Sequence, residues 1–242
     1  MDKVERVRLL TAWIQDRVRA AGCRGVVFGL SGGIDSSVLA ALCKKAFPQN
    51  TLGIIMPCYS IPEDKDHAEM VARKFEFPTK TVVLNAVYDA LLYILPDLKP
   101  DEAVTRLARG NLKARLRMST LYYISNQAHY LVAGSGNRSE ISIGYFTKYG
   151  DGAADFFPLG NLVKKEVREL ARYLEIPREI IDKPPSAGLW DGQTDEGEMG
   201  LTYEAIDRVL LTGTGPDELK SRIEFLKTAS LHKKTTPAIP DF

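Results

Sequence analysis

Glycines and serines surround a single acid in the run GLSGGIDSS at positions 29–37, a set of residue types suited to holding an anion. The run follows an apolar, β-forming stretch at 25–30 and leads into a helical pattern, SSVLAALCKKAF, from Ser36. Glycine lets a backbone approach a phosphate closely, and the free N–H groups at a helix N-terminus attract negative charge. A Walker A loop would carry Gly and Lys where this chain has Ile34 and Asp35, which excludes a P-loop kinase or GTPase. Asp35 beside a polyphosphate would be repulsive unless a divalent cation lay between them. Magnesium is commonly held in that way, by one or two carboxylates plus substrate phosphates. Simple helix capping by Ser31 or Asp35 would need neither the paired glycines nor the further serines.

The elements that must position this loop follow from hydrophobic spacing. Val4, Val7, Leu10, Ile14 and Val18 recur at helical intervals, with Gly22 as a stop. Strand patterns at 25–30, 51–56, 79–84 and 130–135 alternate with helical patterns near 36–47, 64–76, 86–95 and 105–127. Nearly continuous apolar strands alternating with helices predict an α/β fold, a parallel sheet with helices on both faces. Its ligand loops lie beyond the carboxyl ends of the strands. These are SGGIDSS, PCYSIPED and GSGNRSE. Helical patterns at 163–175, 202–212 and 217–231 form a C-terminal helical extension, and no linker divides the chain, so 1–242 reads as one domain.

Of the 242 residues, 32 are Lys or Arg and 31 Asp or Glu, for a net charge of +1. That balance excludes bulk attraction to nucleic acid or membrane surfaces. Cys23, Cys43 and Cys58 form no C-x-x-C pair, and the N-terminus lacks an apolar signal core, so the expected compartment is the cytoplasm. The longest stretch free of Lys, Arg, Asp and Glu, 118–137, is interrupted by polar residues and is not a membrane span.

The loop resembles the pyrophosphate loop of the ATP pyrophosphatases, an adenine nucleotide alpha-hydrolase-like, Rossmann-like three-layer fold. GNLKARLRMSTLYY (110–123), GSGNRSEISIGYFTKYGDGAADFFPLGNLVKKEV (134–167), KPPSAGLWDGQTDE (183–196) and LHKK (231–234) follow it in order. Together these segments resemble the NAD⁺ synthetases over nearly the whole chain, and YFTKYGDGAAD is the most specific part.

The resemblance implies ATP-dependent amidation of deamido-NAD by ammonia through an NAD-adenylate, giving NAD, AMP and pyrophosphate. It assigns ATP binding to Gly29, Leu30, Ser31, Gly32, Gly33, Ile34, Asp35, Ser36, Ser135, Lys164 and Ser186. Ser135 and Ser186 stand where many members carry Thr. Magnesium falls to Asp35 and Glu140, and deamido-NAD to Arg115, Lys148, Asp155, His232 and Lys233. Asp35, Lys164 and Asp151 are the catalytic candidates, with Asp151 placed to orient or deprotonate ammonia. The resemblance also implies a homodimer with the dinucleotide site near its interface. Glutamine-dependent members carry an additional amidase domain; the motifs here begin at Gly29, so free ammonia is the expected donor and Cys58 a bystander. The residues after Cys58, YSIPED, offer only acids and no cation to lower its pKa.

Helical projection adds one expectation of its own. Arg106, Arg109, Lys113 and Arg117 fall within about 80° of one another and read as a solvated basic stripe. Arg115 projects from the opposite, largely uncharged side and needs a partner, either a carboxylate of the protein or an anionic ligand. Gly134–Ser139 narrowly misses a dinucleotide fingerprint and precedes no clear helical pattern, so it is not read as a Rossmann phosphate loop. His67 and His129 read as structural, and Cys23 and Cys43 as small packed hydrophobes. The Gly-rich 144–155 and 186–200 segments are expected to close over the site. Two rivals remain at this stage: a tRNA-thiolating ATP pyrophosphatase, which would need a sulfur-carrying cysteine, and a non-catalytic nucleotide sensor, which would not need two acids.

Overall fold

The computed structural model describes residues 2–98, 100–190 and 192–240. Four parallel strands, β1 (Gly25–Gly29), β2 (Thr51–Ile55), β3 (Thr79–Thr81) and β4 (Tyr130–Val132), stand in the order β3-β2-β1-β4. Val27 lies opposite Leu52 on one side and Val132 on the other. The chain thus winds outward from β1 through β2 to β3, then returns to add β4 on β1's free edge. The reversal between β1 and β4 opens the crevice expected in such sheets.

Alternate residues of β1 feed two cores. Val26 and Phe28 pack beneath α1 (Lys3–Ala20), α2 (Ile34–Ala46), α3 (Pro62–Phe75) and α7 (Lys164–Tyr173). Val27 packs with Ile54, Met56 and Val132 under α4 (Asn85–Ile94) and α5 (Glu102–Ala128). A third cluster, Ile143, Met199, Tyr203, Ile206 and Ile223, holds together α6 (Arg138–Ile143), α9 (Asp195–Met199), α10 (Tyr203–Thr212) and α11 (Asp217–Ala229). Two short helices, α8 (Arg178–Asp182) and α12 (Leu231–Lys234), complete the described chain.

The α/β reading, with helices on both faces and a helical extension, therefore holds, although the expected strand 130–135 ends at Val132 and two elements differ further. The expected strand 79–84 is regular only over Thr79–Thr81, because this edge strand turns Lys80 and Thr81 to solvent. Val82 and Leu84 still donate N–H bonds to Ile55 and Pro57 carbonyls, each at 2.9 Å. The second difference is α6, which the sequence pattern did not announce. Asn137 caps it, accepting from the Glu140 N–H while Glu140 accepts from the Asn137 N–H. This capping box is legible afterwards in the N-R-S-E spacing.

Candidate active site

The loop between β1 and α2 is shaped for an anion. Gly33 is the N-cap of α2 and no side chain caps it, which leaves the first-turn N–H groups to face the crevice. The serines serve the loop instead. Ser36 and Ser37 hydroxyls donate to the Gly33 carbonyl at 3.0 and 2.8 Å, and the Ser31 and Ser36 hydroxyls pair at 3.0 Å. Gly32 has φ +79°, and a Cβ there would collide with the Asp64 carbonyl oxygen of α3. Glycine is required on both counts.

Asp35, one residue into α2, meets two partners from distant segments. Its Oδ1 accepts from Asn137 Nδ2 at 2.9 Å and its Oδ2 from Lys164 Nζ at 2.5 Å. The same ammonium lies 3.4 Å from Glu140 Oε1 and 4.6 Å from the centre of the Tyr203 ring. Lys164 is the first residue of α7, and its N–H donates to the Ser139 hydroxyl, which donates to Asp207. Burial opposes the Lys164 charge, yet the facing acids carry its pKa above the usual lysine range. Glu140 is pushed up to about 7, chiefly by burial, with Lys164 opposing that rise.

The acids extend further than the sequence suggested. The Tyr203 hydroxyl lies 2.9 Å from both Glu140 Oε1 and Asp195 Oδ2. The Tyr145 hydroxyl lies 3.1 Å from Asp195 Oδ1 and 2.9 Å from Glu198 Oε2. Burial raises the Asp195 pKa, with Lys164 opposing. Tyr145 and Asp195 lie inside segments that the sequence singled out, without a role assigned to them, and Tyr203 lies outside every such segment; their meeting comes from α9 and α10 folding back onto α6.

These groups wall a cavity of about 600 Å³. Gly29, Leu30, Ser31, Gly33, Ile34, Asp35, Ser36, Ser135, Glu140, Lys164 and Ser186 line it, while Gly32 lies behind the loop against α3. Asp151 also opens into it, its Oδ1 accepting from the Thr147 N–H at 3.0 Å. The protein around Asp151 raises its pKa through burial. The donor chemistry fits a hard cation: Asp35 and Glu140 offer carboxylate oxygens beside a phosphate loop. Among the described residues no group of three acids, His or Cys converges as a complete metal cage, so phosphate oxygens would have to finish the shell.

The five residues assigned to the dinucleotide divide. Lys233 reaches the cavity and donates to the Gly144 and Phe146 carbonyls at 2.9 and 3.0 Å. Arg115, Lys148 and His232 gather outside it: Arg115 Nε donates to the Lys148 carbonyl at 3.3 Å, and Lys148 Nζ lies 3.5 Å from His232 Nδ1. Asp155 stands apart, accepting from the Val132 N–H and the Tyr122 hydroxyl at 2.7 and 3.2 Å.

The basic stripe is corrected. Arg106 and Arg109 are exposed, but Lys113 is buried and donates to the Leu189 carbonyl at 2.7 Å. Arg117 is tucked into the cavity wall, donating to the Met56 carbonyl and the Ser60 hydroxyl at 3.1 and 3.2 Å. Arg115, expected on the covered side, is exposed. The cause is the segment 183–190, which lies across α5: a Cβ on Gly110 would sit 3.1 Å from the Trp190 ring and 3.3 Å from Leu189. The surroundings of Cys58 are corrected too, since Arg117 and Lys113 both act to lower its pKa. Burial outweighs them and the thiol pKa is raised. Cys43 is fully buried, Cys23 partly so, and His67 is buried on α3.

The family described as "NAD synthase" matches residues 6–240. The "NH(3)-dependent NAD(+) synthetase" of Carboxydothermus hydrogenoformans is 52% identical over 236 residues, which cover 98% of this chain and 97% of that one. Among solved structures, "NMN synthetase from Francisella tularensis" superposes with a TM-score of 0.92 at 38% identity, covering 100% of both chains. The "NH3-dependent NAD synthetase from Campylobacter jejuni" does so with a TM-score of 0.81 at 31% identity, again over 100% of both.

Proposed function

This chain belongs to the NAD synthase family, and from that premise we infer that the cavity is where ammonia is joined to the nicotinate carboxyl of deamido-NAD. The enzyme is a ligase that forms a C–N bond and uses ATP. Sulfur transfer and passive nucleotide sensing are set aside with that membership. The observation that carries the site assignment is the meeting of Asp35, Glu140 and Lys164 at the mouth of a phosphate loop.

In this reading a carboxylate oxygen attacks the α-phosphorus of ATP, the bond to the β-phosphate oxygen breaks, and pyrophosphate leaves. Ammonia nitrogen then attacks the acyl carbon, the C–O bond to AMP breaks, and the nitrogen loses a proton. The chain's part is placement and charge. The loop N–H groups and Lys164 hold phosphate oxygens, with Ser135 and Ser186 at the cavity wall. Asp35 and Glu140 would hold magnesium, whose charge offsets that of the triphosphate when bound. Asp151 would orient ammonia and take its proton, a role supported by its place in the cavity wall and its raised pKa. Arg115, Lys148, Asp155, His232 and Lys233 would hold the dinucleotide. The exposed position of Arg115, Asp155 and His232 supports a site shared with a second copy.

Among the described residues, no helix is long and apolar enough to cross a membrane. The three cysteines are free, which supports a cytoplasmic setting. Incubation with ATP, Mg²⁺, ammonium and deamido-NAD should yield NAD, AMP and pyrophosphate in equal amounts; ADP and phosphate would mean that a different bond is cleaved. The likeness to an NMN synthetase gives a second reading, in which nicotinate mononucleotide is the better substrate. The chemistry at the carboxyl is unchanged, so kcat/KM measured for both substrates on one preparation separates the two.

A further inference from the structure

The segment that covers the cavity is pinned at two flanks by lysines, and only one of these contacts is an ion pair. Lys113 of α5 reaches the Leu189 carbonyl. On the opposite flank Lys183 Nζ meets Asp64 Oδ1 of α3 at 2.7 Å, with about a fifth of each side chain exposed (21% and 22%). Among the described residues this is the sole ion pair that 183–190 makes. The far end of the same turn, Gly188 at φ +60°, faces this carboxylate: a Cβ there would meet Oδ2 at an ordinary van der Waals distance of 3.4 Å. The Asp64 backbone in turn sits against Gly32 of the phosphate loop. One residue thus packs its backbone on the loop that holds the phosphates and pairs its carboxylate with the lysine that opens the turn bearing Ser186.

The charge has a second consequence. Asp64 and Lys183 both line the cavity. An unpaired carboxylate beside the phosphate loop would repel the triphosphate, so Lys183 both fastens the cover and neutralises that acid. We propose that Asp64 and Lys183 form a clasp that keeps the 183–190 segment closed while the acyl-adenylate waits for ammonia, and that they are positioning residues of the second step. The proposal rests on the adenylating reaction inferred above. Its chemical content is competition. Water entering an open site attacks the acyl carbon, breaks the C–O bond to AMP and returns the free carboxylate, so ATP is consumed without amide. Ammonia at the same carbon gives product.

The test measures AMP and NAD together in wild type, Lys183→Met, Lys183→Arg and the double variant Asp64→Asn/Lys183→Met, at saturating and at low ammonium. Wild type should stay near one AMP per NAD at both. Lys183→Met should raise AMP per NAD about fivefold at low ammonium, equivalent to about 1 kcal/mol for a partly exposed pair. Saturating ammonium should suppress the excess. Lys183→Arg should remain near wild type. The double variant should still leak while recovering the ATP KM that the bare Asp64 spoils. A one-to-one ratio in every variant, whatever the loss of rate, would overturn the clasp, as would a rise in ATP KM alone, which would make Lys183 a direct phosphate contact. Failure of wild type to make AMP or NAD would instead overturn the reaction itself.

Discussion

At the mouth of the phosphate loop one ammonium answers two acids: Lys164 lies 2.5 Å from Asp35 and 3.4 Å from Glu140. Losing one partner of a buried ion pair can cost about 3–5 kcal/mol when the other charge is stranded. Here either acid remains to hold Lys164 if the other is neutralised, so both variants should fold. Asp35→Asn and Glu140→Gln are each expected to lower kcat about 10²- to 10³-fold and to raise the Mg²⁺ needed for half-maximal rate. A magnesium titration with a thermal melt separates lost metal binding from lost structure; near-normal rates and magnesium dependence in both variants would remove the two-carboxylate assignment. Asp35, Glu140 and Lys164 were readable because each sits inside a contiguous motif. Tyr203, whose hydroxyl joins Glu140 to Asp195, was not, because it lies outside those motifs and nothing around it distinguishes a site tyrosine from a core one.

Helix α5 shows where periodicity stops informing. The projection assigned solvent to the whole charged stripe, which holds for Arg106 and Arg109 and fails for Lys113 and Arg117. The covering segment begins about 70 residues downstream of Lys113, beyond any local window. Lys113 now hangs from the Leu189 carbonyl with its pKa lowered by burial, and its ammonium lies 5.9 and 5.6 Å from the Tyr59 and Tyr88 rings. Lys113→Ala is therefore expected to cost about tenfold in kcat/KM for both substrates, the loss of a charged hydrogen bond of about 1.5 kcal/mol. Arg115→Ala should act differently, raising the KM for deamido-NAD about tenfold and leaving that for ATP unchanged, because it stands outside the cavity. Steady-state kinetics with each substrate varied in turn decides the matter; a matched rise in both KM values for Arg115→Ala would return it to a structural role. By contrast, α6 went unread although its signal is local: Asn137 and Glu140 stand at capping-box spacing.

Across the whole molecule, the strand–helix alternation was enough to place the crevice. It could not say which outer surfaces stay uncovered. One such surface is the hairpin of α4 and α5, which packs its inner side on the sheet and leaves Tyr93, Ile94, Leu98 and Val104 exposed, Tyr93 at 90% and Leu98 at 84%. Contiguous apolar exposure of this kind marks a surface that another protein covers. The same helix α5 carries the exposed Arg115. We propose that two copies meet through this hairpin and that the partner completes the dinucleotide site begun by Arg115, Lys148 and His232. Sedimentation at micromolar concentration should then give the mass of two chains. A pair of charges, Ile94→Lys with Val104→Lys, should dissociate them without unfolding either, because both side chains are exposed and neither lines the cavity. The monomer should retain ATP binding, whose contacts lie within one cavity, and lose affinity for deamido-NAD. A dissociated chain with unchanged KM for the dinucleotide would show that one copy holds it alone, and the apolar hairpin would then need another occupant.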